Sequence, residues 1–243
     1  MKFFPYICII LFIYMYGCGK THAIDMNGTQ KQTTDTMKQV TNNTDNSTSA
    51  TLAPSAFSLW GTCSDMPYLI STNGICIPSG VTGCGSNYLA AQQSSGQNAI
   101  GMQFYGCFKG GNNAPDASNE MAVFLCTDVT NWNGYEIGFV MTLNDNTLKC
   151  YVQGNGVYNY YTLNSLINEP NGYHTFKCQV ESADHSKVDF YIDSNMVWTL
   201  QNSDVDYWNN DYYFVGTTHR TSDNWNATGQ QIEMYDMTAF FKK

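Results

Sequence analysis

Glu120 and Glu136 each open an apolar run, Met121 to Cys126 and Ile137 to Met141. Two carboxylates on neighbouring strands are the arrangement that acid/base cleavage of a glycosidic bond uses, one group protonated and the other ionised. Read without chemistry, both are solvated residues at a strand rim. Glu233 and Asp236 form no such pair, because residues three apart on a strand point to opposite faces. There is no serine nucleophile elbow, no His-Glu-x-x-His and no phosphate loop. His174, His185 and His219 lack the spacing of metal ligands: His174 reads as packed within a strand and His185 as a turn residue.

The aromatic surplus points elsewhere. The chain has 17 Tyr, 13 Phe and 5 Trp, and three stretches set such rings among amide and carboxylate side chains. They are Asn131-Trp132-Asn133, Tyr158-Asn159-Tyr160-Tyr161, and the segment from Trp208 through His219-Arg220 to Trp225. Sugars offer C–H faces to rings and hydroxyls to polar groups, so such mixtures suit a saccharide cleft. On this reading Trp132, Glu136, Tyr158, Tyr160, Trp208, His219, Arg220 and Trp225 are the expected ligand-binding residues, with no catalytic residue assigned. The plain alternative makes many of these rings core. Asp204, Asp206, Asn209, Asn210 and Asp211 supply oxygens of the kind calcium takes, and read equally as a solvated loop.

Strands must position these residues. Alternating or continuously apolar runs predict strands near 86–92, 100–108, 119–129, 134–143, 146–153, 157–163, 172–182, 186–193, 196–201, 211–218 and 230–241. Asn144-Asp145-Asn146 and Thr130 to Gly134 read as hairpin turns. Residues 121–126 and 137–141, apolar at nearly every position, predict central strands. The last strand should return beside the first. A chain of 243 residues suffices for one sandwich of about 180–200 residues with a full core.

Residues 172–200 carry a family resemblance. Tyr173-His174-Thr175-Phe176-Lys177-Cys178-Gln179-Val180, a turn, then Val188-Asp189-Phe190-Tyr191-Ile192-Asp193-Ser194-Asn195-Met196-Val197-Trp198 resembles the signature meander of the concanavalin A-like sandwiches: legume lectins, laminin-G domains and family-16 glucanases. Ser194 stands where that turn usually has glycine. The likeness implies an all-β, concanavalin A-like jelly-roll sandwich of two antiparallel sheets. Catalysis in the glucanases of that group needs a strand Glu-x-Asp-x-x-Glu, whereas Glu136 is followed by Gly138 and by Val140 and Met141 at those positions. The missing carboxylates together with the aromatic and amide stretches favour a lectin-like glycan-binding or cell-surface recognition domain. A jelly-roll hydrolase or lyase using Glu136, and a structural or adhesive surface protein, are the alternatives.

Lys2, the apolar run Phe3 to Tyr16, and Thr21-His22-Ala23 predict a signal peptide over 1–23 and a secreted or cell-surface product. The run is too short for a transmembrane span. Gly17-Cys18-Gly19 resembles a lipobox, and lipid anchoring at Cys18 is the rival outcome. Residues 24–56, rich in Thr and Asn, predict a disordered stalk, with the globular domain over 57–243 and a Cys-rich lead-in over 57–85. Asn27, Asn42, Asn46 and Asn226 head glycosylation sequons. Export and the cysteine density predict disulfides, with Cys107–Cys126 and Cys150–Cys178 the expected pairs and one more bridge among Cys63, Cys76 and Cys84. From Phe57 onward seven Lys and Arg face 17 Asp and Glu, a balance that disfavours nucleic acid as partner and leaves carbohydrate or a cell-surface glycoconjugate.

Overall fold

The structure, a computed structural model, describes residues 47–60, 68–78, 87–94, 99–111, 120–127, 135–142, 144–154, 157–163, 172–181, 187–201, 211–219 and 231–242. Of the chain's two compact units, residues 1–39 and 40–243, all of these belong to the second. Signal segment, Cys18 and all four sequon asparagines lie outside the described residues.

Fifteen strands make up the described part: β1 (Ser47–Thr51), β2 (Ser58–Trp60), β3 (Leu69–Ile70), β4 (Gly74–Pro78), β5 (Asn87–Ser94), β6 (Ala99–Lys109), β7 (Glu120–Cys126), β8 (Glu136–Thr142), β9 (Thr147–Gly154), β10 (Val157–Thr162), β11 (His174–Val180), β12 (Val188–Ile192), β13 (Asn195–Leu200), β14 (Asp211–His219) and β15 (Gln231–Lys242). One antiparallel sheet runs β13-β12-β11-β6-β15-β4-β3 with β1 also on β15, and the other runs β10-β9-β8-β7-β14-β5-β2. This is the jelly-roll sandwich expected. Strands β7 and β8 stand in the middle of the second sheet, as their continuous apolar runs require.

The core forms where alternate residues of both sheets face inward. Phe139 of β8 meets Phe104, Phe176 and Phe190 of the opposite sheet at ring-centroid distances of 6.2, 5.1 and 5.6 Å. The outward face of β7, β8, β9 and β14 is also buried, by Ala122, Phe124, Cys126, Val140, Tyr151 and Val215. The middle strands of the second sheet therefore bury apolar groups on both faces.

Two sequence expectations need correction. Residues 47–51, placed in the stalk, are an edge strand pairing Ser47 to Lys242 through Thr51 to Thr238. Leu52 follows, donating its N–H to the Met237 carbonyl at 2.7 Å, and Leu52 and Phe57 are buried. Ser47 to Thr51 carries almost no apolar signal because backbone bonds to β15, and not side-chain burial, hold it. One flank of β15 takes β4 along 231–235 and β1 along 238–242, and the changeover falls at Asp236, whose φ is 50°.

The second correction concerns the cysteines. Cys107, Cys126, Cys150 and Cys178 are buried thiols, joined in neither expected pair. Cys107 alternates with the core residues of β6, while Cys126 lies on the outward face of the opposite sheet. Packed sheets sit about 10 Å apart, and a disulfide spans Cα atoms only about 4.4–6.8 Å apart. Cys150 and Cys178 belong to the core between the sheets and fill it as small apolar groups. Cys76 is disulfide-bonded, with its partner outside the described residues.

Burial pushes the Cys107 thiol up to about 12, with the Glu233 carboxylate adding to the shift. Burial likewise raises Cys150 and Cys178. At pH 8 the folded protein is therefore expected to leave these three unalkylated by iodoacetamide, and guanidinium to expose them, as peptide mass spectrometry would show. Rapid native labelling would contradict this packing.

In the two-residue turn between β12 and β13, Ser194 takes a backbone conformation that favours glycine. Asp193 and Ser194 have φ of 49° and 68°, the left-handed pair of a type I′ turn, which favours glycine second. Asp193 is held there: its carboxylate accepts the Thr175 N–H at 2.9 Å and meets His174 Nδ1 at 2.6 Å. Ser194→Gly is expected to stabilise by about 0.5–1 kcal/mol, a Tm rise of about 1–4 °C in a calorimetric scan.

Candidate functional site

Register puts Glu136 opposite Cys126 on one side and Gln153 on the other. Glu120 pairs with Thr142 at the other end of the same hairpin. Antiparallel strands start at opposite ends, so six residues of β8, about 20 Å, separate the two glutamates. The Glu120–Glu136 carboxylate pair does not exist.

Glu136, Gly138 and Val140 share the outward face of β8, while Ile137, Phe139 and Met141 enter the core. A Cβ at Gly138 would run into the Val123 carbonyl and come 2.6 Å from Phe124 Cα. Close approach by β7 thus forbids a side chain where the glucanase pattern has aspartate. Val140 and Met141, the positions where that pattern has its second carboxylate, are both fully buried. Retaining hydrolysis sets its two carboxyl groups about 5–5.5 Å apart, and this strand supplies one.

That one is enclosed. Glu136 is 1% exposed, and its Oε2 accepts the Tyr151 hydroxyl at 2.8 Å. The Tyr151 hydroxyl also touches the Gln153 side-chain amide. A phenol has one proton, so the consistent arrangement has Gln153 presenting its NH2 to the Tyr151 oxygen while Tyr151 donates to Glu136.

Rings lead outward from this group. Tyr160 pairs with Tyr151 and Tyr158 with Gln153, placing both on the same outward face. The Tyr151 ring lies 5.3 Å from that of Tyr160 and 6.3 Å from that of Tyr158. Tyr158 and Tyr160 are 51% and 43% exposed, whereas Tyr151 is fully buried. Lys149, one step along β9, holds its Nζ 5.5 Å from the Tyr160 ring centroid. The result is a strip across β8, β9 and β10, sealed and polar at its inner end, aromatic and open at its outer edge.

Three of the expected ligand residues, Glu136, Tyr158 and Tyr160, are thus brought together. Trp132, Trp208, Arg220 and Trp225 lie outside the described residues. His219 ends β14 opposite Asn87, six residues past Tyr213, which stands in the Glu136 row. Its backbone is therefore at the far corner of the sheet. The calcium-type run 204–210 is outside the described residues, among which no three His, Cys, Asp or Glu side chains converge on a metal position. Sequence reasoning missed Lys149, Tyr151 and Gln153, although the alternation with Leu148, Cys150 and Val152 puts all three on one face.

A second buried carboxylate lies on the other sheet. Glu233 Oε2 accepts the hydroxyls of Tyr173 at 2.5 Å and Tyr235 at 2.9 Å, and Oε1 accepts Gln231 Nε2 at 2.6 Å. Burial first, and then the bond to Glu233, push both phenols upward. Tyr105 stacks on Tyr173 at 5.7 Å. Three donors occupy this carboxylate, and the cluster pins β15 to the loop before β11.

Among solved structures the chain resembles a Bacillus licheniformis β-glucanase, with 12% identity, a TM-score of 0.52, and coverage of 82% of this chain and 100% of that one. A prokaryotic β-1,3-1,4-glucanase (lichenase) derived from a mouse hindgut metagenome gives 9% identity and a TM-score of 0.51 over 81% of this chain and 100% of that one. The receptor-binding domain of botulinum neurotoxin type G gives 13% identity and a TM-score of 0.47 over 77% of this chain and 43% of that one. No family model and no curated protein matches the sequence. The fold is the concanavalin A-like jelly roll, and identities this low show the fold alone.

Tyr151→Phe removes a donor from a buried carboxylate and is expected to cost about 1–3 kcal/mol in urea unfolding. Glu136→Gln, which keeps an oxygen for the Tyr151 hydroxyl, should cost less. An unchanged midpoint for Tyr151→Phe would show that Glu136 is hydrated and not sealed.

Proposed function

We propose that this concanavalin A-like sandwich is an exported, non-catalytic glycan-binding domain whose ligand stacks on Tyr158 and Tyr160. The observation that carries the reading is the pair of exposed rings fixed on one sheet face, backed by Tyr151 and its bonds to Glu136 and Gln153. Rings held by strand pairing and by a buried neighbour lose little conformational freedom when a sugar packs against them, which favours binding. The enclosed carboxylate supports the non-catalytic side of the reading: Glu136 acts as an anchor for Tyr151, with Gly138 and Val140 beside it. The basic and apolar start of the chain and the Ala23 cleavage pattern support export, and a carbohydrate or cell-surface glycoconjugate is the partner this chemistry suits.

A glycan array probed with the exported chain, followed by product analysis of every hit, tests the reading. Intact saccharide retained by the native protein, with affinity lowered about 10-fold or more in Tyr158→Ala and Tyr160→Ala at unchanged Tm, is the expected result, a ring–sugar stack being worth about 1.4 kcal/mol or more. Hydrolysis that survives in both variants and stops in Glu136→Gln would replace binding with catalysis.

A further inference from the structure

The aromatic strip has one cation beside it. Lys149 is the sole Lys or Arg in the seven strands of its sheet, in a chain whose net charge is −9. It stands on the outward face opposite Val140 and Thr162 and leans over the Tyr160 ring, its Nζ 5.5 Å from the centroid. A cation within about 6 Å of a ring face is held by the ring quadrupole, worth about 0.5–1 kcal/mol at exposed sites. Among the described residues it makes no ion pair of its own. The acid nearest in sequence, Asp145 in the β8–β9 turn, accepts the Thr142 hydroxyl at 2.6 Å and the Thr147 N–H at 3.0 Å, both on Oδ1, and feels the Lys149 charge only beyond ion-pair distance. Lys149 therefore keeps ammonium protons for an incoming acceptor, immediately beside the ring on which a sugar stacks.

Resting on the carbohydrate reading above, we propose that the Tyr158–Tyr160 strip selects acidic saccharides, sugars carrying a carboxylate, and that Lys149 is the residue that selects the charge. A neutral sugar gains the ring contacts alone. An acidic one adds a charge-assisted hydrogen bond to an ammonium that a ring already positions, next to a protein surface whose other charges are mostly negative and offer no competing cation on that sheet. The acidic balance of the chain makes this contact local: long-range attraction of the ligand is absent, so selectivity resides in Lys149 and weakens as salt screens it.

The test compares matched probes in titration calorimetry: oligogalacturonate against its methyl ester, and sialyllactose against lactose, each at low and at physiological salt. The expected result is that at least one acidic form binds about 10-fold or more tighter than its neutral partner, equivalent to about 1.4 kcal/mol. That preference, read as the ratio of acidic to neutral affinity in each variant, should collapse in Lys149→Gln, persist in Lys149→Arg, and shrink with salt, with circular dichroism showing both variants folded. Equal affinity for acidic and neutral members, binding confined to neutral glycans, or a preference untouched by Lys149→Gln overturns the proposal and leaves the glycan reading standing. Failure of every saccharide, neutral or acidic, removes both.

Discussion

Everything in the sandwich depends on how Phe139 enters the opposite sheet. One ring from β8 sits among Phe104, Phe176 and Phe190, which come from three adjacent strands of the facing sheet, and Phe104 and Phe176 stack on each other at 5.0 Å. Edge-to-face and offset contacts of this kind add about 0.5–1.5 kcal/mol per pair to the burial of the rings themselves. More important is what they fix. Side chains on a strand alternate between faces, so a register slip of one residue would send Phe139 outward and Gly138 and Val140 inward. The cluster thereby sets which residues of β8 face away from the core, and Glu136 is one of them.

The outward face inherits its character from a second constraint, the closeness of β7 and β8. Because the Val123 carbonyl and the Phe124 backbone leave no room for a Cβ at Gly138, the middle of that face is filled from the neighbouring strands by Phe124 and Tyr151. Tyr151 is buried with its hydroxyl, which must then find partners, and Glu136 and Gln153 supply them. Glu136 thus satisfies a hydroxyl that packing has buried. The same ring props Tyr160 and Tyr158 at the sheet edge, so the aromatic strip is a consequence of how the face is filled.

Much of this was legible in the sequence, and the failures have physical causes. The strands from 86 to the C-terminus announce themselves by alternation, and the central pair by continuous apolar runs, because burial drives those patterns. Ser47 to Thr51 left no such signal, since an edge strand held by backbone bonds needs no apolar face. The cysteine pairs failed because parity in a strand tells which face a thiol occupies only once the core face is known: Cys107 and Cys126 point away from the core on opposite sheets, and Cys150 and Cys178 fill it. The Glu120–Glu136 pairing failed for a related reason, because nearness to a strand start puts residues together in parallel neighbours and apart in antiparallel ones. Lys149, Tyr151 and Gln153 were readable by parity, but their value comes from Tyr158 and Tyr160 lying across the strand gap.

Concanavalin A-like sheets offer one broad face whose use is decided by a few side chains, and in this chain those choices are mutually consistent. A catalytic face needs polar, solvated carboxylates in its middle rows. This face has Ala122, Val140 and Val215 there, and its enclosed carboxylate, Glu136, stands at the end of β8 bonded to a phenol. Such a middle is buried and apolar, and aromatic exposure lies at the β9–β10 margin, where Tyr158 and Tyr160 stand beside Lys149. Rigid rings at a sheet margin, supported from beneath and accompanied by a single cation, are suited to holding a ligand by its face and charge. Among the described residues of β8, no second carboxylate stands in line with Glu136.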